Sequence, residues 1–129
     1  GIREAMEARG LGDVYQRQLW DVFKEPADPR YGGRSLMSYF TELDRNDTRL
    51  GVAGKIVTPQ DAERALAAGV DWIMLGRAAI LNHDFPNRYR ADTSFVPTPL
   101  PVSRDYLKGE GLAERFIEYM AGWEGFVDD

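Results

Sequence analysis

The sequence contains no cysteine and only one histidine, His83. The missing cysteines exclude disulfide bonds, thiolate nucleophiles and cysteine-ligated metal sites. A metal site built on His83 requires several further ligands, and there is no second histidine to supply one. We therefore expect no metal site, and we interpret His83 as a surface loop residue rather than a catalytic base.

A long apolar run and a basic cluster are also missing. No stretch approaches the ~20 apolar residues that a membrane span needs. The first residues alternate in charge without the apolar core of a signal peptide, so we expect a cytoplasmic protein. A net charge of -5 and a pI near 4.9 argue against nucleic acid and anionic membrane surfaces as partners.

A strand, helix and strand pattern occupies residues 50–80. Residues 50–53 and 72–75 are short apolar segments, which is typical of parallel strands covered on both faces. Two parallel strands joined through a helix form a right-handed βαβ crossover. The pattern therefore predicts such a unit at the centre of the chain.

The helix between these strands has recognisable start and stop signals. Thr58 can cap it, Pro59 fits its first turn, and Asp61 stands where a capping-box carboxylate reaches back. Gly69 then suits the left-handed turn that ends a helix. The side chains expected to let the helix lie close to the sheet are Ala62, Ala65, Leu66 and Ala68.

Glycines follow both predicted strands. Gly54 follows the first and Gly76 the second, so the backbone at both carboxyl ends is open to a ligand. Parallel α/β folds bind ligands at that edge, and Arg77 adds a guanidinium suited to phosphate. Two interpretations stay open: a phosphate cradle, or two tight turns with Arg77 paired to a surface carboxylate.

Three segments resemble the last two strands of the old yellow enzyme family, which are FMN-dependent NAD(P)H oxidoreductases built on a (β/α)8 barrel. They are Gly51-Val52-Ala53-Gly54-Lys55-Ile56, Thr58-Pro59-Gln60-Asp61-Ala62-Glu63 and Asp71-Trp72-Ile73-Met74-Leu75-Gly76-Arg77. The resemblance extends over most of the chain, from Leu19 to about Val127.

The resemblance implies that Ala53, Gly54, Gly76 and Arg77 hold the FMN phosphate, through backbone amides and the arginine side chain. The family's catalytic residues precede this region, so none maps onto the chain. The function this implies is that of a C-terminal fragment of an FMN-dependent NAD(P)H:acceptor oxidoreductase. We expect the fragment to supply the phosphate half of the site and to be inactive alone.

The length also predicts a partial fold. A complete barrel needs about 250 residues, and this chain has 129. The predicted fold class is α/β: a partial (β/α)8 barrel in residues 1–92, followed by a proline-rich linker and a C-terminal helical tail in residues 93–129. Uncovered strand edges in such a fragment favour association, so we expect a homo-oligomer.

Other elements follow from periodicity and caps. Residues 2–11 predict a helix and residues 13–20 a strand, with a continuous helix over residues 2–23 as the alternative. Residues 24–34 predict a solvated loop, although Arg30, Tyr31 and Arg34 in it are able to reach a ligand. The three predicted helix caps are Ser35, Asp84 and Ser103.

Two apolar stripes complete the predicted core. The first follows Ser35 and consists of Leu36, Tyr39, Phe40 and Leu43. The second lies in the C-terminal tail and consists of Leu112, Phe116, Ile117 and Met120. A second function also fits the sequence: a non-enzymatic, self-associating partial barrel whose phosphate site is empty or generic.

Overall fold

The computed structural model describes residues 21–128, so the predicted elements within residues 2–20 lie outside the described residues. The described part is a mixed α/β fold with six helices and one two-stranded parallel sheet. The strands are β1 (Gly51–Ala53) and β2 (Trp72–Met74). The helices are α1 (Ser38–Thr41), α2 (Pro59–Ala67), α3 (Arg77–Leu81), α4 (Phe85–Ala91), α5 (Arg104–Gly109) and α6 (Glu114–Ala121), and a 3-10 turn covers Pro29–Tyr31. Over residues 21–128 no helix is both long enough and apolar enough to cross a membrane.

The predicted strand, helix and strand unit is confirmed. β1 and β2 pair in parallel, with Gly51 opposite Trp72 and Ala53 opposite Met74, and α2 connects them. The Trp72 indole lies over Gly51, where an added β-carbon would be 2.2 Å from the indole nitrogen. A larger residue at position 51 would therefore displace the half-exposed indole from this place.

The start of α2 also follows the prediction. The Thr58 hydroxyl accepts a hydrogen bond from the Asp61 amide at 3.1 Å, and the Asp61 carboxylate accepts one from the Thr58 amide at 3.0 Å. These reciprocal bonds form a capping box. Gly69, with φ of 97°, makes the left-handed turn after the helix.

Most of the buried apolar side chains form two clusters. The sheet core contains Val22, Met37, Val52, Ile56, Ala62, Ala65 and Val70. The helical core contains Leu81, Val102, Leu107, Ile117, Met120 and Phe126. α3 ends in the helical core through Leu81, so it links the sheet unit to the C-terminal helices.

The proline-rich segment is held by the fold rather than extending from it. Thr98 donates to the buried Asn82 side-chain oxygen through both its amide, at 3.4 Å, and its hydroxyl, at 3.2 Å. Val102 then forms a parallel bridge with Val127. This bridge joins the chain just before α5 to the chain just after α6, so both ends of the C-terminal helical segment are fixed.

The prediction for the first apolar stripe is partly wrong. α1 begins at Ser38 and is four residues long, and Met37 rather than the predicted Ser35 occupies its cap position. The Ser35 hydroxyl accepts a hydrogen bond from the Ser38 amide at 3.3 Å, within the turn that precedes the helix. Leu43, predicted to be core, is exposed. Because the helix ends at Thr41, helical spacing does not extend to Leu43, and Met37 fills the sheet core instead.

Three further side chains differ from prediction in the same way. Ile117 and Met120 of α6 are buried as expected, but Phe116 is exposed. In and after α2, Ala62 and Ala65 are buried, whereas Leu66 and Ala68 are exposed. Each helix therefore buries a narrower stripe than the one predicted.

The outcome for the predicted caps is mixed. The Ser103 hydroxyl accepts a hydrogen bond from the Tyr106 amide at 3.1 Å, which confirms the cap of α5. Asp84 occupies the cap position of α4 but makes no capping hydrogen bond. Its carboxylate instead pairs with Arg88 one turn later, which takes the oxygen away from the helix amides.

Candidate functional site

The ends of both strands meet at one edge of the sheet. Because β1 and β2 are parallel and Ala53 lies opposite Met74, the segments that follow them leave from the same side. The four residues predicted from sequence, Ala53, Gly54, Gly76 and Arg77, are therefore brought to this edge. We call these four residues the glycine edge.

The segment after β1 turns sharply. Gly54 has φ of 135°, which is a conformation that suits glycine, and Lys55 follows with φ of 50°. The Gly54 carbonyl accepts a hydrogen bond from the Val22 amide at 3.4 Å. The Lys55 ammonium lies 3.4 Å from the Asp21 carboxylate. Sequence analysis did not select Lys55, although its place next to Gly54 adds a second cation beside the edge.

The segment after β2 leads directly into α3. Gly76 precedes the helix, and its carbonyl accepts hydrogen bonds from the amides of Ala79 at 3.0 Å and Ile80 at 3.2 Å. Gly76 is exposed, and a β-carbon placed on it meets no atom of residues 21–128 within 4 Å. Arg77 is exposed as well. The edge thus offers open space beside a guanidinium, an arrangement able to accept an anion such as a phosphate.

Residues of the predicted loop before α1 contact one another and residues in and next to α1. The Arg34 guanidinium lies 3.8 Å from the centre of the Tyr39 ring and pairs with Glu42. The Tyr39 hydroxyl donates to the Tyr31 carbonyl at 2.7 Å. Hydrogen bonding to Tyr39 and Glu42 raises the pKa of Arg34. Arg30 likewise pairs with Asp28 at 2.6 Å, so the three loop residues considered as ligand contacts have partners within the loop and α1 region.

A second polar cluster joins two distant parts of the chain. Glu110 follows α5, and one of its carboxylate oxygens lies 2.8 Å from both the amide and the ring Nδ1 of His83. Arg88 lies 2.7 Å from Asp84, as an ion pair rather than a well-aligned hydrogen bond, and 3.7 Å from Glu110. The Glu110 side chain is only 9% exposed. Burial acts to raise its pKa, but the His83 hydrogen bonds and the charges of His83 and Arg88 outweigh burial, and the net pKa is lowered.

Sequence analysis looked for a second histidine or a cysteine as a metal ligand beside His83, whereas this cluster supplies two carboxylates. Ligand atoms of His83, Asp84 and Glu110 lie within 4.8 Å of one another, a spacing compatible with a metal ion. Arg88, however, already supplies positive charge to both carboxylates. We therefore interpret the cluster as a structural network of hydrogen bonds and ion pairs. Sequence analysis missed Glu110, because no local pattern pairs it with a histidine 27 positions earlier.

Comparisons of the chain with models of protein families, with curated proteins and with solved structures found no match.

Proposed function

We propose that this chain is the C-terminal part of an FMN-dependent NAD(P)H oxidoreductase resembling the old yellow enzymes, and that the glycine edge holds the FMN phosphate. One observation supports the proposal above all. The parallel register of β1 and β2 sets Ala53 opposite Met74, so that the Gly54 and Gly76 segments emerge side by side.

The residues at the edge fit a phosphate group. In the part of the chain that the structure describes, the space at Gly76 is open, since an added β-carbon meets nothing there within 4 Å. Backbone amides can approach an anion closely where no side chain intervenes. The guanidinium of Arg77 offers a planar fork of donors that matches phosphate oxygens. The combination provides both space and charge for the anion.

In this proposal β1 and β2 are the last two strands of a (β/α)8 barrel, and α5 and α6 form an extension beyond it. When bound, FMN carries hydride from NAD(P)H to an acceptor. The part played by this chain is to bind and orient the phosphate end of the cofactor. The groups around the flavin ring belong to preceding segments of the barrel, so we expect no NAD(P)H turnover by this chain alone.

The test measures flavin binding by the 129-residue chain. Titration of FMN and of riboflavin, followed by flavin fluorescence, isolates the phosphate contribution, and we expect FMN to bind more tightly. Arg77→Ala removes charge-assisted hydrogen bonds worth about 1.5–3 kcal/mol, so it should weaken FMN binding roughly 10- to 100-fold and leave riboflavin binding unchanged.

Two control variants match the tested residues. Arg90→Ala removes another exposed arginine, on α4, and should leave FMN affinity unchanged. Gly76→Ala places a methyl group in the proposed cradle and should weaken FMN binding. Gly109→Ala should not, although its added methyl likewise meets no described residue within 4 Å. Equal affinities for FMN and riboflavin, or an Arg77→Ala variant that binds FMN normally, would contradict the proposal.

A second candidate is a non-enzymatic partial barrel that self-associates through its sheet. The exposure of Trp72 and Met74 on β2 favours it, because strands of parallel sheets are normally covered on both faces. Sedimentation velocity of Met74→Ser decides this candidate. Loss of an oligomer in this variant supports association through the sheet, and an unchanged sedimentation profile contradicts it.

A further inference from the structure

A basic residue directly follows each glycine of the glycine edge. Lys55 follows Gly54, and Arg77 follows Gly76. The last paired residues of β1 and β2 lie opposite each other, and Lys55 and Gly76 each stand two positions beyond them. Both basic residues therefore leave the sheet at the same edge, one from each strand.

Lys55 has a backbone conformation that is unusual for a lysine. Its φ is 50°, in the left-handed region that residues with a β-carbon rarely adopt. Backbone strain of this kind persists only where the surrounding structure imposes it, and it concentrates at ligand-binding sites. Glycine would fit this turn more easily, so it is the side chain of Lys55 that calls for an explanation.

The Lys55 ammonium lies beside a carboxylate that the backbone already orients. Oδ1 of Asp21 accepts a hydrogen bond from the Phe23 amide at 3.0 Å, and its Oδ2 lies 3.4 Å from the Lys55 ammonium. The Val22 amide donates to the Gly54 carbonyl at 3.4 Å, which sets this segment beside the end of β1. The position of Asp21 therefore does not depend on its pairing with Lys55.

The ion pair of Lys55 and Asp21 is long and open to solvent. Its separation of 3.4 Å exceeds the roughly 2.7–2.9 Å of a charge-assisted hydrogen bond, and the Lys55 side chain is 47% exposed. Exposed ion pairs contribute little to stability, so exchange of the carboxylate for another anion costs little free energy. A phosphate at the glycine edge would therefore compete with Asp21 for the ammonium.

We infer that Lys55 is a second phosphate-binding cation at the glycine edge, and that it pairs with Asp21 until a phosphate takes the place of that carboxylate. The inference rests on the proposed function, because it assigns a further contact to the same site. Together Lys55 and Arg77 match the charge of a terminal phosphate group, which is about −1.5 to −2 at pH 7.

Titration of the full chain with FMN and with riboflavin, followed by flavin fluorescence, tests the inference. Lys55→Met keeps an unbranched side chain but removes its charge. It should weaken FMN binding about tenfold, as expected for the loss of one charge-assisted hydrogen bond, and leave riboflavin binding unchanged. Asp21→Asn removes the competing charge and keeps an oxygen for the Phe23 amide, so it should tighten FMN binding about two- to fivefold.

The opposite directions of these two effects separate a ligand contact from a structural one. Both variants break the same ion pair. If the pair only stabilises the turn, both variants should change FMN affinity in the same direction or not at all. In the double variant, Asp21→Asn should add nothing to the effect of Lys55→Met, because no ammonium is left to be released.

Two further variants serve as controls. Lys108 is 49% exposed and lies 3.1 Å from Glu114, so Lys108→Met removes a lysine of matching exposure that also takes part in an ion pair. It should leave FMN affinity unchanged. Lys55→Gly relieves the left-handed backbone, so it should fold at least as well as wild type, as circular dichroism can show, and bind FMN as weakly as Lys55→Met.

Two outcomes would overturn the inference: normal FMN affinity in both Lys55 variants, and an Asp21→Asn variant that does not bind FMN more tightly. Arg77→Ala shows which proposal has failed. If it weakens FMN binding while the Lys55 variants do not, the inference fails and the proposed function stands. If Arg77→Ala binds FMN normally, both fail together.

Discussion

At the scale of single residues, the cap of α2 is the clearest stabilising contact. Thr58→Ala removes one half of the capping box and leaves the Asp61 amide without its side-chain acceptor. We expect a loss of about 1 kcal/mol in the free energy of unfolding, as measured by urea denaturation. Thr48→Ala, at an exposed loop threonine whose hydroxyl makes no hydrogen bond within residues 21–128, is the control and should change stability little. Equal losses in the two variants would contradict the capping role.

Asp71 provides a pH-dependent contact between the two strand starts. Its carboxylate accepts from the Leu50 amide at 2.7 Å and from Arg45 at 2.9 Å, and these bonds lower its pKa. A lowered folded pKa gives stability that is complete above the unfolded value near ~4 and lost as pH falls through the folded value. Asp71→Asn should therefore be less stable than wild type at pH ~7, and the difference should narrow on acidification below pH ~4.

The measurement is urea denaturation of both proteins across this pH range. Asp105→Asn, at an exposed aspartate in the first turn of α5, serves as the control for removing one carboxylate. A stability difference between wild type and Asp71→Asn that stays constant with pH would show that the Asp71 contact is not ionic.

Residue-scale features were also the easiest to predict from sequence. The box of Thr58 and Asp61, the turn at Gly69 and the cap at Ser103 each depend on atoms within about four positions along the chain. The same logic failed at Asp84, because Arg88 offered its carboxylate a competing partner at the same spacing. Local rules hold where no second local partner competes.

At the scale of elements, the buried face of α6 differs in part from the sequence prediction. The predicted stripe placed Phe116 with Ile117, but Ile117 is buried and Phe116 is exposed. Ile117→Ala should therefore cost about 2–5 kcal/mol in unfolding free energy through the cavity it leaves, and Phe116→Ala less than about 1 kcal/mol. Denaturation at low protein concentration keeps association from contributing, and a larger loss for Phe116→Ala would contradict the described packing.

Element prediction succeeded where two signals agreed. β1, α2 and β2 combine strand composition, a cap and a glycine stop, and each falls within about a residue of its predicted position. α6 was predicted from periodicity alone, and α1 from periodicity and a cap at Ser35, which does not occupy the cap position. Periodicity does not reveal where a helix ends or which of two apolar faces is covered. Leu43 and Phe116 are the residues at which that information was missing.

At the scale of the whole molecule, Asn82 connects α3 to α4 and to the proline-rich segment. It is fully buried, and its side-chain oxygen accepts from Arg88 at 3.2 Å and from Thr98. Asn82→Ala leaves these donors without their acceptor, so we expect a loss of about 1–3 kcal/mol or more, seen as a lower midpoint of thermal unfolding. Asn87→Ala, at an exposed position on α4, is the matched control. Similar midpoints of thermal unfolding for the two variants would contradict the linking role of Asn82.

Most contacts at this scale could not be predicted from the sequence. The glycine edge was predictable because parallel pairing follows from the βαβ pattern, so two segments 22 positions apart could be brought together by topology. No such rule predicts the partners of Glu110 and Asn82, because these partners are fixed by the packing of helices whose orientation the sequence does not specify. Long-range polar contacts therefore had to be read from the structure.

The open space at Gly76 has a practical consequence. The chain has no cysteine, so Gly76→Cys would introduce the sole thiol, at a place where an added β-carbon touches no atom of the described residues 21–128. A maleimide dye would then attach at that one position without prior removal of other reactive groups. Its emission would report the arrival of any molecule at the end of β2, whatever the chemical nature of that molecule.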